Sequence, residues 1–359
     1  MGPFYEIVTS LRRALHMEES PRPLRLGVIG AGWFASRRHC PDVADHPEAE
    51  LVALCRRDEE QLAQMARAFA VTDTYTDYAE LIGSGTVDGV IICSPHHLHF
   101  EHARAALDAG LHVLLEKPIT VDPEEGRRLV ALAGKTGRAL VVAQNPPYWS
   151  HCRYLRDRLR RGDLGEIEGV SINWVGNALG VLGLEPLPDS LPGVVKPTLF
   201  RGDAAQNGGG FLVDGGSHLL CELLWCTGLR VAEVSAHMDN PDWDLRVALA
   251  LTLENGALAT LSNTADSAVR DKRHHSLYYG SSGTAVTRGF PFEVTVDADG
   301  QSERVDEAEL PPPPTPVDNL VDCAQGRGVP ELDGETAVHI VEILDAAYRA
   351  ARSGHKVKL

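Results

Sequence analysis

Short apolar runs alternate with helical patterns over the first part of the chain. Six of these runs are typical of buried strands, at residues 25–29, 50–55, 72–76, 89–93, 112–115 and 139–143. The stretches between them fit helices, and those at 100–110 and 123–137 each end in glycine. Parallel strands need crossover connections, whose helices cover the sheet on both faces. Residues 24–144 are therefore predicted to form a doubly wound parallel sheet with helices on both faces.

The pattern changes after residue 144 to strands of the alternating and hairpin kind. A basic helix at 152–162 precedes predicted strands within 166–175, 245–265, 276–287 and 292–305, and the turn signals ENG, GSSG and DADG divide the last three segments. PPPPTP at 311–316 indicates a stiff extended spacer, and 335–354 has the periodicity of a long helix. Residues 145–359 are predicted to form an α+β domain with a large, mostly antiparallel open sheet. Overall, an α/β protein is expected.

Residues 1–23 are predicted to be a separate N-terminal extension. Residues 5–17 fit one amphipathic helix, but a wrongly assigned start fits equally well, so no function is assigned to this stretch. Its charges exclude an export signal, and no apolar run in the chain is long enough to span a bilayer.

The charge and cysteine content narrow the expected partners. Thirty-four basic and 50 acidic residues give a formal charge of -16, which argues against nucleic acid and anionic lipid surfaces as partners. The seven cysteines include no CxxC pair, so neither a disulfide framework nor a zinc site is indicated, and a reducing cytoplasm is expected. His96, His97 and His99 lie close together without a suitably spaced carboxylate or cysteine, so no metal is predicted.

A glycine-rich turn, LGVIGAGWFAS, follows the first predicted strand. Gly30 allows a tight turn, and Gly32 lets backbone amides approach a pyrophosphate, while Ala35 lets the next helix pack close to the strand. Trp33 and Phe34 begin that helix and are counted among the cofactor contacts. The turn, in this strand-helix series, predicts a Rossmann domain that binds a dinucleotide.

The end of the second strand bears on the choice of dinucleotide. An acid there would bind the ribose diol of NAD, but the chain has Cys55, Arg56 and Arg57 before the first acid, Asp58. Two guanidinium groups suit a ribose 2′-phosphate. NADP is therefore the preferred cofactor, and NAD stays possible if both arginines are solvated and Asp58 turns inward.

Two further motifs carry candidate chemistry. Glu116, Lys117 and Pro118 end the fifth strand, at the sheet edge where doubly wound folds bind ligands. In NGGGFLVDGGSHLL, Asp214 and His218 are four residues apart, which on a helix places them on one face. With IICSPHHLHFEHA, RRGDLGEIEGV, YGSSGTA and the final helix, these motifs resemble the glucose-fructose oxidoreductase, inositol dehydrogenase and rhizopine-catabolism family, abbreviated Gfo/Idh/MocA. The resemblance extends over most of the chain from residue 24.

The resemblance implies the roles of several residues. Lys117 would stand beside the nicotinamide and the substrate, with Asp214 and His218 completing the catalytic site. Further cofactor contacts are implied at Ser94, Pro95, His99, Glu116 and Gln144. Oxidation of an alcohol needs a base and a cation near the developing alkoxide, so His218 is assigned as proton acceptor or donor and Lys117 as electrostatic stabiliser and proton partner. Asp214 is assigned as the group that positions the substrate and His218. A helix N-terminus would lower the pKa of His218. In the alternative interpretation, Asp214 caps a helix and His218 packs in a core.

The substrate is less defined. Tyr148 and Arg201 are candidate contacts beside Asp214 and His218, and the long loop at 177–200 could form a lid. Where relatives often have an acid three residues after the histidine, this chain has Cys221, followed by Glu222. The segment 145–151 also lacks the arginine often present there.

Three functions remain open at this point. The first is an NAD(P)-dependent oxidoreductase that acts on a secondary hydroxyl or ketone of a sugar, cyclitol or sugar nucleotide. The second is a glycoside-cleaving enzyme that uses tightly bound cofactor and transient oxidation, and the third is a cofactor-sensing regulator without catalysis. The resemblance also implies a homodimer or homotetramer.

Overall fold

The structure, a computed structural model, describes residues 22–187 and 191–359. The predicted helix at 5–17 lies outside the described residues. Among the described residues, no helix is both long and apolar enough to cross a lipid bilayer.

All six predicted strands of the first sheet are present, and the prediction of a doubly wound parallel sheet is confirmed. They run in the order β3-β2-β1-β4-β5-β6, with every neighbouring pair parallel. Their bounds are β1 Leu24–Ile29, β2 Ala49–Cys55, β3 Asp73–Tyr75, β4 Gly89–Ile92, β5 His112–Leu115 and β6 Leu140–Val142.

Helices cover both faces of this sheet. They are α1 Trp33–Arg37, α2 His39–Asp45, α3 Glu59–Phe69, α4 Tyr78–Gly83, α5 His99–Asp108 and α6 Pro123–Thr136. Successive side chains of a strand point to opposite faces, and within β4 Ile91 packs into one core while Val90 and Ile92 pack into the other. Wholly apolar strands are thus explained by burial on both sides.

The second lobe is built on a nine-stranded sheet. Its strands are β7 Ile167–Val175, β8 Val231–Met238, β9 Arg246–Leu253, β10 Leu258–Thr264, β11 Arg273–Gly280, β12 Gly283–Gly289, β13 Glu293–Ala298, β14 Gln301–Asp306 and β15 Val357–Lys358. Their order is β14-β13-β12-β11-β7-β10-β9-β8-β15, and only β7 and β10 pair in parallel. The prediction of a mostly antiparallel sheet is confirmed, including the three hairpins.

Helices cover one face of the second sheet. The helices of this half of the chain are α7 Ser150–Arg160, α8 Ala204–Asn207, α9 Ser217–Thr227, α10 Pro316–Ala324 and α11 Gly334–Ser353. Residues of α9 and α11 join the inward side chains of the strands in one core. On the opposite face, β9 and β10 alternate buried and outward-facing positions, and we call this the open face with respect to the described residues.

One helix of the second half of the chain packs on the first sheet. The predicted spacer has no regular structure at 311–315, and α10 begins directly after it. Val317, Leu320 and Val321 of α10 are fully buried in the same core as Ile91 of β4 and Leu114 of β5. The first sheet is therefore completed by residues far beyond 144.

Candidate active site

The glycine-rich turn lies where the carboxyl ends of β1, β2 and β4 meet. Gly30 has a φ of +80°, and a Cβ on it would lie 2.6 Å from the backbone nitrogen of Ser94. The amides of Gly30 and Ala31 both donate to the Cys55 carbonyl at 3.0 Å. Only glycine combines this conformation with so close an approach. The turn therefore leaves space beside the sheet edge for a ligand.

A cavity of about 730 Å³ opens at this turn. Ten predicted cofactor contacts line it: Gly30, Gly32, Trp33, Phe34, Arg56, Arg57, Ser94, Pro95, Glu116 and Lys117. We call this space the nucleotide cavity. Its volume and the glycine-rich turn in its wall fit a dinucleotide.

Two predicted cofactor contacts do not line the nucleotide cavity. His99 is fully buried, and its ring bridges the Pro118 and Ser94 carbonyl oxygens at 2.7 and 3.0 Å. Gln144 is also buried, and its Oε1 has no hydrogen-bond partner among the described residues. His99 joins two segments of the first lobe, and cofactor contacts of His99 and Gln144 stay a prediction.

The two arginines after β2 have different environments. Arg56 is half-buried and donates to the Ala31 carbonyl at 3.3 Å and to Gln61 Oε1 at 2.7 Å. Burial lowers the pKa of Arg56. Arg57 is exposed at the cavity. The carboxylate of Asp58 caps α3, accepting from the Gln61 amide at 3.0 Å and from Gln61 Nε2 at 2.6 Å.

Lys117 extends from the end of β5 into the junction of the two lobes. Its side chain is buried, and Nζ donates to the Asp214 carbonyl oxygen at 2.6 Å and to Asp214 Oδ1 at 2.8 Å. The preceding Glu116 places Oε1 2.7 Å from His39 Nε2. The structure therefore joins the EKP motif of the first lobe to the DxGxH motif of the second.

Asp214 is held by two cations. Arg201 Nε donates to the same Oδ1 at 2.8 Å, so the predicted substrate residue Arg201 lies in the cluster. Burial alone would raise the pKa of Asp214, but Arg201 and Lys117 outweigh it and hold the pKa well below its usual range. Asp214 is thus a carboxylate that fixes the positions of Lys117 and Arg201.

His218 stands beside this cluster at the start of α9. A π-helical turn, Leu212–Gly216, precedes α9, so Asp214 and His218 belong to two consecutive helical segments rather than one regular α-helix. Burial, followed by the charge of Lys117, lowers the pKa of His218 to about 3. The expected direction of the shift is therefore present, but burial is its largest cause, in place of the helix terminus. A neutral imidazole can accept a proton near neutral pH.

A second cavity of about 600 Å³ lies on the other side of Lys117. Lys117, Arg201, Asp214 and His218 line it, and we call it the substrate cavity. Five residues line both cavities: Trp33, Phe34, Glu116, Lys117 and Arg201. The two spaces therefore meet at Lys117, which is the arrangement that transfer between two bound ligands requires.

Tyr148 does not line the substrate cavity. It is buried, and its hydroxyl donates to Asn319 Oδ1 at 3.1 Å, so a substrate contact of Tyr148 stays a prediction. The next residue, Trp149, lines the cavity instead.

Other residues at the substrate cavity carried no signal in the sequence. They include Asn145, Trp174, Phe211, Lys272 and His274, which come from separate segments of the second half. Asn145 Nδ2 lies 3.4 Å from His218 Nε2. The lining also contains five lysine or arginine side chains, at positions 37, 117, 201, 270 and 272, against three carboxylates, at 116, 185 and 214. The cavity is thus richer in cations than the acidic chain as a whole.

The described residues of the loop at 177–200, which exclude 188–190, contribute to the lining of both cavities. Its residues 197–200 line the nucleotide cavity, and others between 177 and 191 line the substrate cavity. Its described residues form two hydrogen bonds with the first lobe: Trp33 Nε1 donates to the Pro192 carbonyl at 2.7 Å, and the Val194 amide donates to Ser36 Oγ at 3.0 Å. This position fits the lid expected from the sequence.

Compared with known protein families, the sequence matches two family models. Residues 24–144 match the oxidoreductase family with an NAD-binding Rossmann fold, and residues 152–286 match the GFO/IDH/MocA C-terminal domain. The chain belongs to the Gfo/Idh/MocA family. The resemblance noted in the sequence is confirmed, and this member of the family is an oxidoreductase with an NAD-binding domain.

Relatives of this family member are named for reactions on sugars. D-glucoside 3-dehydrogenase of Escherichia coli strain K12 is 26% identical, with 94% of this chain and 98% of the relative covered. The dTDP-3,4-didehydro-2,6-dideoxy-alpha-D-glucose 3-reductase of Saccharopolyspora spinosa is 28% identical, covering 93% and 99%. In fold, the WlbA dehydrogenase from Bordetella pertussis, in complex with NADH and UDP-GlcNAcA, matches with a TM-score of 0.78 at 24% identity, covering 94% and 99%.

Proposed function

We propose that this enzyme transfers a hydride between a nicotinamide cofactor and a carbon that bears a secondary hydroxyl or ketone in a sugar, cyclitol or sugar nucleotide. The bound cofactor would supply the hydride acceptor or donor. The observation that carries the proposal is the contact of Lys117 with Asp214, at 2.8 Å, where the nucleotide and substrate cavities meet.

Each polar residue at the junction of the two cavities has a separate role in the proposed reaction. His218, neutral because of its lowered pKa, accepts the hydroxyl proton during oxidation and returns it during reduction. Lys117 places an ammonium where negative charge develops on the substrate oxygen. Asp214 holds Lys117 and Arg201 in position through Oδ1.

We propose NADP as the preferred cofactor, with NAD also accepted. The support is that Arg56 and Arg57 line the nucleotide cavity while the Asp58 carboxylate is engaged in capping α3. Exposed Arg57 is free to pair with a 2′-phosphate. Arg57→Ala should then lower kcat/KM with NADP about tenfold and leave that with NAD within twofold. A wild-type enzyme that saturates more readily with NAD would contradict this preference.

A screen with purified enzyme tests the function. Sugars, methyl glycosides and inositols are supplied with NADP or NAD, and the absorbance of reduced nicotinamide is followed. The proposal expects net reduction of the cofactor with at least one of them. Cleavage of a glycoside with retained nucleotide and no net absorbance change would favour the glycoside-cleaving alternative, and tight nucleotide binding without any turnover would favour the regulator.

We further propose that the enzyme forms a homodimer or homotetramer through the open face of the nine-stranded sheet. At its centre, exposed Ala248 and Ala250 of β9 adjoin Thr260 and Ser262 of β10. Small uncharged side chains on a flat sheet allow close packing of a second copy. The seven cysteines are free, which supports the expected cytoplasmic location.

A further inference from the structure

A buried group of polar side chains lies behind the substrate cavity, on the side formed by β11. His274 Nε2 lies 2.7 Å from Ser276 Oγ and 3.2 Å from Glu222 Oε2. The hydroxyl of Ser276 donates to Glu222 Oε1, and Tyr278 donates to the same oxygen at 3.1 Å. Glu222 and Ser276 are fully buried, and His274 is also buried but is the member of the group that lines the cavity.

This arrangement fixes which nitrogen of His274 carries the hydrogen. Burial would raise the pKa of Glu222, but His274 and Ser276 outweigh it and lower the pKa, so Glu222 is a carboxylate that only accepts. Ser276 has one hydrogen, which it donates to Glu222, and its oxygen must therefore accept the bond from Nε2. Nε2 therefore carries a hydrogen, and Nδ1 can act as an acceptor only in the tautomer that has its single hydrogen on Nε2.

The surroundings of the other ring nitrogen, Nδ1, indicate which molecule it can contact. No described residue forms a hydrogen bond with His274 Nδ1, although Nε2 is fully engaged. Phe292 packs edge-on against the ring, with centroids 5.5 Å apart, which limits its rotation. Lys117, Asp214 and His218 line the same cavity. The nitrogen of His274 that has no described protein partner therefore belongs to a residue of the cavity that the reacting molecule would occupy.

We infer that His274 is a substrate-binding residue whose Nδ1 accepts a hydrogen bond from a hydroxyl other than the one that reacts. The inference rests on the proposed function and deepens it, since it restricts the substrate to a polyol with at least two hydroxyl groups. Glu222 and Ser276 are positioning residues, because they act through the tautomer and orientation of His274.

Two substitutions separate this role from a purely structural one. His274→Asn keeps an oxygen near the position of Nδ1 but loses the bond to Ser276, whereas His274→Gln keeps a donor near Nε2 but loses the acceptor in the cavity. We expect His274→Gln to raise KM about five- to tenfold with little change in kcat, because the hydrogen bond from the substrate hydroxyl to Nδ1 is present equally in ground and transition states. His274→Asn should stay within about threefold of wild type. The opposite ranking would mean that the buried bond to Ser276 is what matters, and would overturn the inference.

The probes are methyl β-D-glucopyranoside and its 2-, 3-, 4- and 6-deoxy analogues, with His355→Gln at an exposed position as the matched control. With the wild-type enzyme, one deoxy analogue that still reacts should have a kcat/KM below that of the parent sugar by about the factor that His274→Gln costs with the parent sugar. With this analogue, His274→Gln should leave kcat/KM unchanged. Equal sensitivity of all reacting analogues to His274→Gln would contradict the inference.

A measurement without turnover tests the tautomer on its own. Nitrogen-15 NMR of histidine-labelled enzyme should show His274 with a bare Nδ1 in wild type, and Ser276→Ala should disturb this state. A hydrogen on Nδ1 of the wild-type enzyme would overturn the inference whatever the activity. Absence of turnover with every probe and every sugar of the screen would count against the proposed function instead, so the two failures are distinguishable.

Discussion

At the scale of single residues, Lys117 links the two lobes, and its removal is the most direct test of the mechanism. Lys117→Ala should lower kcat about 100- to 1000-fold, the usual loss when a group that stabilises transition-state charge is removed. Asp214 keeps its contact with Arg201 at 2.8 Å, so the fold around it should persist.

Nucleotide binding provides the control for this variant. The dissociation constant of reduced cofactor, measured by fluorescence, should change little, because the glycine turn lies elsewhere in the nucleotide cavity. Lys135→Ala, at an exposed position of α6, should behave as wild type in both assays. Full turnover by Lys117→Ala would refute the assigned roles.

A second residue, His151, predicts a dependence of stability on pH. Its ring is buried between Trp149 and Phe292, neither ring nitrogen has a partner among the described residues, and burial lowers its pKa to about 3. The unfolded chain binds a proton on this histidine below about pH 6.5, and the folded chain does not until about pH 3, so stability is lost as pH falls through this window.

His151→Phe should remove this contribution. Between pH 6.5 and pH 5, the loss of unfolding free energy should be smaller than in wild type by about 1.6 kcal/mol. The full slope is about 1.4 kcal/mol per pH unit, but the unfolded histidine is only half protonated at pH 6.5. Urea unfolding at both pH values measures it, and the difference between the two pH values is insensitive to a constant packing effect of the larger ring. His355→Phe, at an exposed site, serves as control. An unchanged pH dependence in His151→Phe would show that His151 is protonated in the folded state.

At the scale of elements, the loop at 177–200 should control nucleotide release, because it lines both cavities and is fastened to the first lobe. Ser36 accepts from the Val194 amide at 3.0 Å and lines neither cavity. Ser36→Ala should speed dissociation of reduced cofactor about two- to tenfold, the effect of one lost hydrogen bond. Stopped-flow displacement measures the rate, with Ser353→Ala as control. Dissociation at the wild-type rate would mean that this bond does not hold the loop.

Elements were predictable where the local pattern matched the final packing. The strands β1, β4 and β5 are buried on both faces and could be recognised as continuous apolar runs, and the hairpins could be recognised from ENG, GSSG and DADG. The strand β8 was not predicted, because an irregular register between Val231 and Glu233 interrupts its alternation.

The site was predictable only in part, for a related reason. Motifs marked Lys117, Asp214 and His218, but Trp149, Lys272 and His274 reach the substrate cavity from separate segments that carry no motif. The π-helical turn before α9 is likewise a product of packing. A Cβ on nearby Gly210 would clash with the backbone of Asp244, a residue 34 positions away, and no local pattern reveals this close approach.

At the scale of the whole molecule, the open face of the second sheet predicts self-association. Ala250→Arg would place a charge at the centre of that face, opposite Thr260. Sedimentation velocity should show the wild type as a dimer or tetramer and Ala250→Arg as a smaller species with an unchanged circular dichroism spectrum. Ala68→Arg, at an exposed position of α3, should leave the assembly intact. A monomeric wild type would contradict the expected assembly.

Because of helix α10, the first lobe cannot be produced as a stable fragment by truncating the chain after residue 144. Val317, Leu320 and Val321 cover apolar positions of the first sheet, so a fragment truncated after residue 144 would present that surface to water. Such a fragment should aggregate or bind a hydrophobic dye, and joining 315–326 to it through a flexible linker should restore a monodisperse species. On the ribosome, the dinucleotide-binding lobe would consequently reach its final form only after most of the other lobe has been synthesised.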